Sequence, residues 1–121
     1  MTASGFQALV EKALATLPSD ILQHLNNVAI TVSDWPSRSQ LEKARLSQTS
    51  QLFGLYEGVP LTKRGSNYHM VTPDRITLFR RPLLAACRSP AALPGLVRRT
   101  VVHEIAHHFG ISEARIRELG Y

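Results

Sequence analysis

The sequence contains a single cysteine, Cys87, so no intramolecular disulfide can staple the fold. Long apolar runs are also missing. The stretches at 28–32 and 83–87 fall far short of the roughly 20 residues that a membrane-crossing helix needs. The start shows no basic-then-apolar export signal. With the lone cysteine, this leads to the expectation of a reducing cytoplasm and no membrane role. Aromatic residues make up only 7% of the chain, and no aromatic-and-basic nucleic-acid motif accompanies the pairs Lys63/Arg64, Arg80/Arg81 and Arg98/Arg99. The net charge of +5, from 14 Lys and Arg against 9 Asp and Glu, reads as a dispersed basic surface. Such a surface suits an acidic partner better than a nucleic acid.

What is present describes a folded protein. A content of 44% hydrophobic and 19% charged residues lies near globular averages. A chain of 121 residues has room for one compact domain, 1–121, and no second core. Phe6, Leu9, Val10, Ala13, Leu14 and Leu17 recur at steps of three and four, which predicts an amphipathic helix from about residue 4 to 16 with Ser4 as its cap. Pro18 interrupts it, and Ser19 is expected to cap a short second helical turn. The β-branched run at 28–32, flanked by turn residues, predicts a strand. Residues 37–50 are polar and read as an exposed loop with a helical turn.

Residues 52–56 are expected to form a second strand whose glycine, Gly54, permits close backbone approach. A turn at 58–60 and a polar stretch to 67 should follow. At 75–80 polar and apolar residues alternate, the pattern of a half-buried strand. Residues 82–87 predict a short helix. Ser89 and Pro90 open another that includes or restarts at Pro94, runs unbroken to Phe109 and stops at Gly110. Ser112 should cap a last helix.

The long helix carries His103-Glu104-Ile105-Ala106-His107, an H-E-x-x-H motif. Histidines four apart lie about 40° apart around a helix and one turn apart along it, so both imidazoles can meet one tetrahedral ion. Zinc lowers the pKa of a coordinated water to roughly 7, and Glu104 stands where a carboxylate can accept its proton. Glu104 is therefore the expected general base, and the expected chemistry is amide hydrolysis. A catalytic zinc takes three protein ligands. Gly110 can turn the chain back through a positive φ and bring Glu113 towards the histidines as the third. His108, roughly 140° around the helix from His103, is excluded from that site. His24, His69 and Cys87 read as isolated residues without a catalytic partner.

With these residues in hand, the chain resembles the small zincin-like family of zinc metallopeptidases with an H-E-x-x-H-x-x-G-x-x-D pattern. The likeness also takes in 25–28, 55–62, 73–78, 100–111 and 118–121. It implies an α+β, minimal zincin-like metalloprotease fold, in which a small mixed sheet packs on the active-site helix. It implies zinc held by His103, His107 and Glu113, with a peptide or protein as substrate. Glu113 stands where the family pattern has Asp, and no methionine follows Met70, so the methionine turn of metzincins is missing. In zincins an edge strand aligns the substrate, and 75–80 or 52–56 is the candidate here. Tyr56, Tyr68 and Tyr121 are candidates for packing more than for oxyanion binding. A second reading keeps the fold and the metal without catalysis, as an interaction domain for an acidic partner or nucleic acid.

Overall fold

The computed structural model describes residues 1–44, 52–58 and 73–121. The expectations for 45–50, for the turn and polar stretch at 59–67, and for Tyr68 and His69 lie outside the described residues. The first helix, α1 (Ala3–Leu14), is capped by Thr2, whose hydroxyl accepts from the Gly5 N–H at 3.1 Å. Ser4, the expected cap, already lies inside the helix. A second correction concerns α2 (Ser19–His24): Pro18 holds its cap position with no side-chain hydrogen bond, and Ser19 is its first residue. In both cases the helix starts earlier than the side-chain chemistry suggested. Proline's fixed φ and missing N–H suit it to a helix start.

After β1 (Val28–Ser33), α3 (Arg38–Lys43) opens with a reciprocal capping box between Ser37 and Gln40, which turns the first part of the expected loop into an ordered helix. Next come β2 (Gly54–Glu57) and β3 (Asp74–Phe79). The sheet order is β1-β3-β2, with β3 parallel to β1 and antiparallel to β2. The burial of β3 is a further difference from expectation. Ile76, Thr77, Leu78 and Phe79 are all buried, so the alternating pattern of 75–80 does not expose one face. The buried Thr77 hydroxyl is satisfied by Thr31 at 3.1 Å.

Helix α4 (Arg80–Ala86) follows directly, and Arg80 is buried while donating to Asp34 at 2.8 Å and to the Met1 carbonyl at 2.7 Å. A short 3₁₀ turn at Pro90–Ala92 leads into α5 (Leu93–Phe109), with Pro94 in its first turn. One stripe of α5, made by Leu93, Val97, Val101, Val102, Ile105 and Ala106, is buried. It packs on the buried face of α1, Phe6, Val10, Ala13 and Leu14. Burial of each large side chain in this stripe is worth about 1.5–3 kcal/mol. The stripe therefore fixes which way the polar face of α5 points. No helix among the described residues is long and apolar enough to cross a membrane.

Strand β2 lies along α5 in a simple register. A Cβ on Gly54 would meet the Thr100 methyl at 2.8 Å, the Tyr56 N–H meets Glu104, and a Cβ on Gly58 would stand 3.8 Å from His108. Two strand residues advance about 6.7 Å and four helical residues about 6 Å, so the two elements stay in step over this length. Gly54 is thus required by close approach. Gly54→Ala should cost about 1–3 kcal/mol by overpacking. Much of the loss should return in Gly54→Ala/Thr100→Ser, where the methyl is gone. Urea unfolding of both variants checks this, and equal losses would contradict the contact.

Glu57, at the end of β2, ties α3 to the sheet by accepting from Lys43 at 2.7 Å, Gln40 at 3.1 Å and Arg75 at 3.3 Å. Burial pushes its carboxyl up, but the Lys43 and Gln40 hydrogen bonds and the charges of Lys43 and Arg75 outweigh that and hold it below its ordinary value. A depressed folded pKa stabilises above the unfolded value of about 4.3 and loses that contribution as pH falls through the folded value. Unfolding measured from pH 7 down to pH 3 should therefore show a shallower acid loss in Glu57→Gln than in wild type.

Candidate metal centre and active site

The polar side of α5 bears His103, Glu104, His107 and His108. His103 and Glu104 are half-buried, and His107 and His108 are exposed. Beyond Phe109, Gly110 adopts φ 72°, as its sequence position suggested, and the Ile111 N–H bonds back to the Ala106 carbonyl at 2.9 Å. No atom would crowd a Cβ on Gly110, so the left-handed backbone alone requires glycine. The turn delivers Ser112, whose hydroxyl accepts from the Arg115 N–H at 3.2 Å and caps α6 (Glu113–Glu118), as expected. Glu113 is the first residue of α6. A hollow of about 350 Å³ is lined by His103, His107 and Glu113 together with Glu104, Gly110 and Ile116.

The three expected ligands thus face one hollow, and the 140° offset of His108 keeps it off that lining. They are not drawn into ligating contact. Among the described residues no three His, Cys, Asp or Glu side chains are gathered closely enough to hold an ion. One ring nitrogen of His103, Nε2, lies 3.3 Å from the Tyr121 carbonyl. Backbone carbonyls commonly orient metal-binding imidazoles through the second ring nitrogen. Two imidazoles one helical turn apart with a carboxylate at the same hollow fit the nitrogen and oxygen donors that zinc prefers. His103, His107 and Glu113 are the residues that would hold it.

Glu104 is fixed from the sheet. Its Oε1 accepts the Tyr56 N–H at 2.9 Å. The Phe79 N–H bonds to the Phe53 carbonyl at 2.9 Å, which marks 53/79 as a hydrogen-bonded pair. Antiparallel alternation then turns the backbone groups of Gly54 and Tyr56 away from β3, towards the sheet edge. That is the direction in which Glu104 is met. Burial raises the Glu104 carboxyl above its ordinary value, while the Tyr56 N–H and then the charges of His107 and His103 oppose the rise.

Sequence reasoning missed the surroundings of Glu104. The Tyr56 ring stacks on His108 with centroids 3.9 Å apart, and its hydroxyl donates to Asp74 at 2.8 Å. His108 lines a second hollow with Tyr56, Glu104 and His107. The phenol of Tyr56 is therefore engaged in holding the strand end. Tyr121 meets His103 through its backbone, not its ring. The spacing Gly54-x-Tyr56-x-Gly58 was the available signal, since alternate glycines mark one strand face pressed against another element. Of the two candidate aligning strands, β3 is central and paired on both sides, so among the described residues β2 is the one that presents an edge.

A small mixed sheet over a helix that carries both histidines and a half-buried glutamate defines a zincin-type domain. Residues 25–121 match the family of zincin-like metallopeptidases, and the chain belongs to that family. A conserved hypothetical protein from T. thermophilus shares the fold, with a TM-score of 0.56 and 20% identity over 90% of this chain and 94% of that one. No curated protein matches.

If the hollow holds zinc, zinc at about one hundred times its Kd should add about 2.7 kcal/mol to the unfolding free energy. Calorimetric scans should show this gain in wild type and His108→Ala and its loss in His107→Ala. Equal gains in both histidine variants would place the ion elsewhere.

Proposed function

We propose that the protein is a zinc-dependent metallopeptidase that hydrolyses peptide bonds, with His103, His107 and Glu113 holding the metal and Glu104 as general base. One observation carries the reading: Glu104 lines the hollow of the three ligand candidates and also both hollows along the β2 edge. A carboxylate in that position adjoins both a metal and a peptide laid against the strand. Zinc, when bound, supplies Lewis acidity towards a peptide carbonyl and towards water. Glu104 then takes the proton from the attacking water at its carboxylate and delivers it to the leaving amine. The Tyr56 N–H keeps the carboxylate aimed, and partial burial keeps it a competent proton acceptor.

A zinc-holding interaction domain without catalysis is the second reading. The net charge of +5 favours it, because a basic surface would serve an acidic partner. Glu104→Gln separates the two readings. The peptidase reading expects wild-type protein with one zinc to cut peptides, and the variant to lose about 100-fold or more in kcat while keeping its zinc. Full activity in Glu104→Gln would remove Glu104 from the base role. Zinc binding with no cleavage of a broad peptide library would favour the second reading.

A further inference from the structure

A hollow of about 360 Å³ adjoins the candidate site, with His103 and Glu104 on its lining, and extends from them about one helical turn back along α5. Leu52, Phe53, Leu96 and Thr100 form its apolar wall beside Gly54, and Arg99 is the cation on its lining. Arg99 is exposed and has no carboxylate partner among the described residues. The Gly54 backbone is directed towards the sheet edge, where an added peptide strand would pair. In such a strand the residue beside Gly54 sends its side chain to the same sheet face as Gly54, towards Thr100 of α5. Gly54 has no side chain to fill that space, and the Thr100 methyl at 2.8 Å bars even a Cβ. The incoming residue must supply the filling, and carbon walls favour an aliphatic one.

We propose that this hollow is the specificity site of the peptidase: it takes an aliphatic side chain of an extended peptide and, through Arg99, a carboxylate next to it. The proposal rests on the peptidase reading. It is tested with acetylated hexapeptides that carry Leu or Gly at one central position and Glu or Gln after it, each with a free or an amidated end. The zinc-loaded wild type should cut the Leu peptide with kcat/KM at least about tenfold above the Gly peptide. Leu96→Ser should remove that preference. Arg99→Glu should remove the preference for a carboxylate and keep the one for Leu. The amidated Glu and the free-acid Gln peptides show whether a side chain or a chain end supplies the carboxylate.

Equal rates for Leu and Gly peptides, or preferences unchanged in both variants, would overturn the proposal and leave the peptidase reading standing. If no peptide is cut, the peptidase reading fails and the hollow is judged by NMR of the wild-type protein. The Leu peptide should then shift the Leu96 and Thr100 amide signals and the Gly peptide should not. Absent shifts, or shifts confined to another face, would overturn the proposal.

Discussion

The hydrogen bond from the Tyr56 N–H to Glu104 joins two parts of the molecule that arise from different forces. The sheet is built by backbone pairing, and α5 is oriented by the burial of its apolar stripe against α1. Neither alone points a carboxylate at a strand edge. The 2.9 Å bond does so because Tyr56 occupies a register position whose N–H faces away from β3. The same register demands glycine at 54, where the Thr100 methyl leaves no room for a Cβ. Moving β2 by one residue would turn the Tyr56 N–H into the ladder and swing its side chain to the other face.

A second constraint acts from the far end of α5. The left-handed turn at Gly110 reverses the chain into α6, and Gly120 at φ 88° turns it again. The Tyr121 N–H then bonds to Ile116 at 3.0 Å, and the Tyr121 carbonyl comes to within 3.3 Å of His103 Nε2. The last residues of the sequence thus return to the helix they left. Glu113 reaches the hollow of the two histidines by this path. Gly110 and the Ser112 cap set the path to Glu113, and Gly120 sets the return of Tyr121.

The helix carrying the motif was legible because its signals are local. Pro94 in its first turn, a buried stripe at steps of three and four, and Gly110 at its end all stand where the sequence placed them. The caps of α1 and α2 were misread by one or two residues, since several polar residues compete at each start. The burial of both faces of β3 was hidden, because alternation within the strand does not show what packs against its second face. The contacts of Glu104 with Tyr56, and of Tyr56 with His108 and Asp74, join residues far apart in the chain. Only the pairing register brings them together, and a single sequence does not contain it. That His103, His107 and Glu113 line one hollow follows from local turns, the kind of signal a single sequence carries.

The central proposal is that His103, His107 and Glu113 make one zinc site on this fold. X-ray absorption at the zinc edge of the loaded protein reads the donors directly. The account predicts two imidazole nitrogens at about 2.0–2.1 Å and a carboxylate oxygen at about 2.0–2.2 Å, with that oxygen replaced in Glu113→Ala. A thiolate at about 2.3 Å, or a shell with no imidazole, would contradict it.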